Sequence, residues 1–335
     1  MKPTPSNKLN LDSNHEIHSL IPDILNLFDT GVDVSDSKAH QLGEAVAETV
    51  KKKMKFAGMP FNSEGKLYLS QIGKDDHLLY FNYKGWPQEE MGSDIKLRLM
   101  YGDIIEELLL WLAEMAGHEV TEKQWLVTVD DVRGRKDCRI DGVNIDVKSM
   151  SRYTFAQAEK GTFFDTAMGM AYIHQLSSYL YGEQMAESDS REPDENVGGF
   201  FAFDKDTGKM HLDLFNKEDL PNPYDRVKHL KSLFKKDTPP PPPKEGYIVE
   251  ENGNIKIPDA YMFNPFKWEI WGDELRCFVR SNGRLEYYIH VEKTPRMDEV
   301  FRDGTIREWK SKAQLKAEQK AFDMANEGDP DGKQE

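Results

Sequence analysis

Residues 132–149 read VRGRKDCRIDGVNIDVKS. Two alternating runs flank Asp141-Gly142, a pair suited to the left-handed backbone of a two-residue hairpin turn. With those two residues as the loop, Ile140 faces Val143, Arg139 faces Asn144, Cys138 faces Ile145 and Asp137 faces Asp146. Side chains alternate along a strand. Val132, Cys138, Ile140, Val143, Ile145 and Val147 therefore share a core face. Arg133, Arg135, Asp137, Arg139, Asn144, Asp146 and Lys148 share the other. Lys136 alone breaks the alternation, so a register shift or bulge is expected there.

Carboxylates set opposite each other, with Cβ atoms roughly 4.5–5.5 Å apart, repel unless something compensates. A divalent cation is one compensation. Hard oxygen donors with few neighbouring His or Cys suit Mg²⁺, with Mn²⁺ as substitute, rather than zinc. Lys148 shares the face of Asp146, where an ammonium can position a metal-bound water or stabilise charge on a phosphate. The alternative is an exposed hairpin face neutralised by its own arginines.

Working outward, residues 102–116 carry Ile105, Leu108, Leu109, Leu112 and Ala116 at helical spacing, and Gly117 stops the helix. At about 100° per residue, Glu107 points away from this stripe. Glu106 sits at its flank, in line with Leu110 and Ala113, and is the acid expected to be half-buried. A half-buried carboxylate needs a partner, and a metal would serve. Downstream, 166–181 reads as a helix ending at Gly182. Gln175 and Tyr179 share one face of it at i, i+4. An amide and a phenol there can bond phosphate oxygens, and a tyrosine ring can stack on a base. Taken singly, each is an ordinary boundary residue.

Further out, 17–55 reads as two helices, with Asp36 opening the second and the basic run KKKMK closing it. QWLVTV (124–129) is strand-like, and 183–197 reads as a polar surface loop. FFAFD and MHLDLF around KDTG signal a hairpin. Residues 221–237 form a basic helix, and Pro239 to Pro243 is an uninterrupted stiff spacer. The expected organisation is a helical N-terminal region (1–60), a core (61–237), a proline strap with a strand-rich extension (238–310), and a charged helix with an acidic tail (311–335).

Composition bounds the function. The formal net charge of −15 excludes nucleic-acid binding by bulk charge, so a polyanion partner needs a local basic patch. Two cysteines, Cys138 and Cys277, exclude a disulfide framework and four-cysteine metal sites and suit a reducing compartment. The longest apolar run, Leu108 to Ala113, is far short of the roughly 18 residues that span a bilayer, so no membrane partner is expected. The N-terminal MKPTPSNKLNLDSNHE lacks an apolar core and does not read as a secretory signal.

Together these residues resemble the PD-(D/E)XK nuclease superfamily in its RecB-type and phage exonuclease branch. The resemblance rests on GDIIE ending at Glu106, GRKD ending at Asp137, DVK at 146–148 and QLSSY at 175–179, in that order. The segment YLSQIGKDDHLLYFNYKG (68–85) is also similar to the lead-in of phage exonucleases of this type. The resemblance covers roughly residues 65–215. It implies an α/β fold with a mixed central sheet flanked by helices, a restriction-endonuclease-like core. It implies Mg²⁺ held by Glu106, Asp137, Asp146 and the Val147 carbonyl, Lys148 orienting the attacking water, and Gln175 supporting the lysine or the phosphate. It gives Tyr179 to the DNA strand; Arg135, Arg139 and Arg152, basic residues near the site, are the expected backbone contacts.

The activity so implied is exonucleolytic hydrolysis of phosphodiester bonds in linear double-stranded DNA, serving phage recombination or DNA degradation in the cytoplasm of a bacterial host. A single-strand annealing protein is the companion such an enzyme would have. The alternatives are an endonuclease or repair nuclease of the same superfamily, and a non-catalytic DNA-binding protein on a nuclease scaffold. No GxxxxGK[ST] phosphate loop occurs, so coupling to a helicase would need a separate protein. Basic candidates for a DNA path are KKKMK (51–55), the arginines of 132–139, Arg152 and RVKHLKSLFKK (226–236). The last reads equally well as an amphipathic helix with a solvated face.

Overall fold

In the computed structural model, which describes residues 9–56, 64–88, 92–184, 190 and 193–326, Asp141 and Gly142 both have positive φ, 49° and 82°. The hairpin register follows: Cys138↔Ile145, Arg139↔Asn144 and Ile140↔Val143. The chain divides into two units, Met1–Pro240 and Pro241–Glu335, with the break inside the proline run.

The first unit holds α1 (Leu20–Thr30), α2 (Asp36–Phe56), α3 (Asp76–Tyr83) and α4 (Ser93–Met115), then β1 (Val120–Thr121), β2 (Trp125–Val129), β3 (Val132–Lys136), β4 (Cys138–Ile140) and β5 (Val143–Met150). After these come α5 (Arg152–Glu159), α6 (Ala167–Tyr181), β6 (Glu183–Gln184), β7 (Val197–Asp204), β8 (Met210–Asn216) and α7 (Pro223–Phe234). The central sheet runs β1-β4-β5-β7-β8. Only β5 and β7 pair parallel, because α5 and α6 carry the chain back across the sheet between them. The α/β expectation holds at this level: a mixed sheet with helices packed on it.

Residues 132–149 do not form one hairpin. Strand β3 leaves the central sheet and pairs with β2 in a second sheet, β3-β2-β6, through an Asp130-Asp131 turn with positive φ at both residues. The switch falls where Lys136 broke the alternation. Its side chain turns inward, 1% exposed, and pairs with buried Glu122. Pairing of β4 with β5 therefore starts at Cys138, and Asp137 stands between the two sheets, outside either ladder. Its carbonyl still accepts from Gln124 N at 2.9 Å.

One core lies beneath the central sheet. It joins Ile17, Leu20 and Ile24 to Ile105, Leu109, Leu110 and Ala113 of α4 and to Cys138, Ile140, Val143, Ile145 and Val147. The N-terminal helices thus belong to this unit rather than to a region of their own. A second cluster on the opposite side packs Phe155, Phe163, Phe164, Ile173, Leu176 and Leu180 on Phe200, Ala202 and Phe215. In this unit two helices, α3 and α5, were not expected from the sequence. Helix α4 begins nine residues earlier than expected, at Ser93 rather than 102, because Gly102 does not break it. At Gly102 a Cβ would stand 3.1 Å from Ser149 Oγ, so the glycine brings α4 close against β5.

The second unit contains β9 (Ile248–Val249), β10 (Ile255–Lys256), α8 (Lys267–Trp271), β11 (Arg276–Val279), β12 (Leu285–His290), β13 (Asp298–Val300), β14 (Ile306–Arg307) and α9 (Lys312–Asn326). Its strands form one sheet, β14-β13-β11-β12-β10-β9, over a core of Ile257, Tyr261, Trp271, Leu275, Cys277 and Tyr287. Residues 1–8, much of 183–197 and the tail from 327, on which expectations were also placed, lie outside the described residues.

Candidate functional site

Three elements bring the acids together. One turn past the Gly102 contact, α4 presents Glu106, half-buried, and Gln124 Nε2 donates to its Oε1 at 3.1 Å. The buried stripe of α4 runs through Ile105, Leu109, Leu110 and Ala113. Leu108 is left exposed. This rotation turns Glu106 toward the sheet, as its alignment with Leu110 and Ala113 requires. Asp137 stands at the strand switch, and its Oδ2 accepts from Val147 N at 3.0 Å. Asp146, 1% exposed, lies on β5.

The electrostatics show that these groups feel one another. Burial raises the carboxyl of Glu106 to about 7, with Asp146 adding to the rise and Lys148 opposing it. Burial pushes Asp137 well above the ordinary carboxylate range. The charge of Asp146 and a hydrogen bond to it push Asp137 the same way. Lys148 Nζ stands 2.5 Å from Asp146 Oδ2. Burial would lower its pKa, but Asp146 and Asp137 raise it, so the ammonium stays charged. The ammonium also lies 5.0 Å from the centre of the Tyr172 ring. If all four groups ionise, three negative charges meet one positive, a formal −2.

Gln175 fixes the orientation of Asp146. Its Nε2 donates to Asp146 Oδ1 at 3.0 Å and to the Tyr179 hydroxyl at 3.2 Å. Tyr179 in turn packs under Gly134 of β3, where a Cβ would stand 3.1 Å from Tyr179 Cε1 and 2.6 Å from Leu69 Cβ. Thus Glu106, Asp137, Asp146, Lys148 and Gln175 are neighbours.

Two expected DNA contacts are corrected. Arg139 is fully buried. Its guanidinium bonds Glu122 (2.8 Å), the carbonyls of Gly142 and Asp194 (both 2.7 Å), and Glu195. It neutralises buried Glu122 and exposed Glu195 and cannot meet a phosphate backbone. Tyr179 is 3% exposed, so no base can stack on its ring. The remaining two, Arg135 and Arg152, are exposed; Arg135 Nη1 donates to Gln124 O at 3.0 Å. Much of the basic helix α7 is also structural. Arg226 bonds Asp76 and the carbonyls of Ile72 and Lys74, and Lys231 bonds Asp130. An exposed, arginine-neutralised face is overturned as well, since Asn144 and Asp146 are buried.

Sequence reasoning missed Tyr172 beside Lys148, Gln124 on Glu106, and the Glu122–Lys136–Arg139 cluster. The one signal available was Lys136, whose misplaced charge called for a buried acid.

The donor set fits a hard divalent cation in its chemistry: carboxylates only, forced together, with Asp146 Oδ2 buried and accepting no well-angled hydrogen bond. Among the described residues, no three His, Cys, Asp or Glu side chains are already arranged to hold an ion. The positive charge seated at Asp146 Oδ2 is the Lys148 ammonium. Among the described residues, no helix is long and apolar enough to cross a membrane.

No family model matches the chain, and no curated protein does. Among solved structures, the crystal structure of SSO0001 is similar over 58% of this chain and 87% of that one, at 14% identity and a TM-score of 0.33. A likeness at that level carries no argument about fold or function.

Proposed function

We propose that this chain is a divalent-cation-dependent DNA nuclease of the PD-(D/E)XK type, acting as an exonuclease on linear double-stranded DNA. One observation carries the reading. Glu106, Asp137 and Asp146 meet from a helix, a strand switch and a strand, with Lys148 among them and Gln175 bonded to Asp146. The mixed sheet flanked by helices, the fold the resemblance implies, supports it too.

Glu106, Asp137 and Asp146, with the Val147 carbonyl, would hold Mg²⁺ or Mn²⁺. When bound, such an ion stabilises charge on the attacking and leaving oxygens of an in-line displacement. The chain's own groups supply the rest. Lys148, held charged by the aspartates, has no lone pair with which to accept a proton; it donates, orienting a water or a phosphate oxygen. Glu106, raised to about 7 while no ion is bound, would give up its proton when it takes a cation, so occupancy of the site would depend on pH near neutrality. Gln175 holds the Asp146 carboxylate in place. Arg135 and Arg152 remain as backbone contacts beside the site.

The test is digestion of end-labelled linear duplex and covalently closed circular DNA with Mg²⁺, by the native protein and Asp146→Ala. We expect loss of the linear form, survival of the circle, and a rate at least about a hundredfold lower in the variant. Undiminished degradation by Asp146→Ala removes the assignment. Cutting of the circle moves it to an endonuclease. DNA binding with no cleavage by the native protein leaves a binding protein on a nuclease scaffold.

A further inference from the structure

A groove of about 530 Å³ opens on the exposed side of β3, at the end away from Asp137. Lys66, Arg133, Lys231 and Lys235 bring four positive charges to its lining, against the single acid Asp131. Lys231 is committed to Asp130 at 2.8 Å. Lys66, Arg133 and Lys235 are exposed, and among the described residues none of them is in an ion pair. In a chain of net charge −15, an uncompensated basic hollow is unusual.

The groove also carries rings. Tyr68, 41% exposed, bridges to Arg133 along the strand direction. Tyr83 stacks on Phe234 with centroids 4.1 Å apart and planes within 8°, which fixes it as part of the wall. Cations beside an open aromatic face are what a nucleic-acid strand needs: charge for the backbone, and a platform for a base.

Its position ties it to the carboxylates. Arg133 and Arg135 share the exposed face of β3, which runs toward Asp137. Four residues at ~3.3 Å each put Arg133 about 13 Å from Asp137, a reach of a few nucleotides along an unpaired strand. The hairpin tip that forms one wall is pinned to α7 by Lys231, so the groove is preformed.

We propose that this groove is a second subsite, which grips the backbone of a DNA strand a few nucleotides from the point of cleavage. Arg133 and Lys235 hold phosphates there, and Tyr68 stacks a base. The inference rests on the nuclease reading for its orientation but is tested without catalysis. A fluorescein-labelled oligothymidylate is titrated with the full-length protein in EDTA at several salt concentrations, and anisotropy is recorded. Arg133→Ala, Lys235→Ala and Tyr68→Ala are compared with the native protein, with circular dichroism melts as the check on folding.

Each charge removal is expected to raise Kd about three- to tenfold and to lower the slope of log K against log salt by about one. Tyr68→Ala is expected to raise Kd about fivefold or more with the slope unchanged. Native affinity and slope in all three variants, or no binding by the native protein, overturns the subsite. Binding that depends on these residues in a protein that never cleaves DNA keeps the subsite and overturns the nuclease reading instead.

Discussion

At the scale of single residues, Glu106 gives the sharpest test. A carboxyl raised to about 7 in the folded protein is favoured there in its protonated form. Its stabilising contribution is complete at pH below the ordinary 4.5 and is lost as pH rises through about 7. Thermal melts without divalent cation should therefore fall between pH 5 and 8. Glu106→Gln should flatten that fall and raise Tm at pH 8 by several degrees. Cation binding requires the deprotonated acid, so Mg²⁺ should raise Tm of the native protein more at pH 8 than at pH 6. A pH-independent Mg²⁺ effect would show that Glu106 takes no part.

At the scale of elements, glycine positions decide how closely helices approach strands. Gly134→Ala would force a Cβ against Leu69 and Tyr179, at a cost of about 1–3 kcal/mol in a denaturant melt. Because Tyr179 holds Gln175, the same change should lower the proposed nuclease activity. Helix α1 supplies a second case. Buried His118 bonds Asp141 at 2.6 Å and faces Asp23 of α1 at 3.5 Å. Burial alone would lower its pKa, but Asp141, Asp23 and Glu16 raise it. The imidazolium's support is complete below pH 6.5 and is lost as pH rises through the raised value. Amide exchange in α1 should therefore accelerate at alkaline pH, more than expected from base catalysis alone; His118→Gln should abolish the excess. Much at this scale was legible in the sequence. Asp141-Gly142 set the turn and register, and the alignment of Glu106 with Leu110 and Ala113 gave its burial. The irregularity at Lys136 was legible as a break in alternation; that it is a change of sheet was not, because the inward lysine depends on Glu122, which pattern does not pair with it. Nor was the burial of Arg139 and Tyr179, since pattern alone places arginines outside and cannot see which helix will cover a face.

At the scale of the whole molecule, the two units have separate cores, one set built on β5 and β7 and the other on β11 and β12. Residues 1–240 expressed alone should melt cooperatively and carry whatever Mg²⁺-dependent cleavage the proposed function gives the full chain; an unfolded fragment would show that the division is not energetic. The acidic balance of the chain also bears on assay conditions. In the proposed DNA complex the loss of affinity with salt should be modest, of the order of the few cations that meet phosphates, because the slope counts those contacts and not the net charge of −15. Lys148 has a further consequence here. An ammonium seated on Asp146 is a resident counter-ion, so chelator treatment should quiet the protein without unravelling it. Melts in EDTA should stay close to native in form, whereas Lys148→Met, stripped of that internal cation, should become dependent on added Mg²⁺ to stay folded. Under the proposed function, a protein so equipped waits, idle and intact, in dilute magnesium.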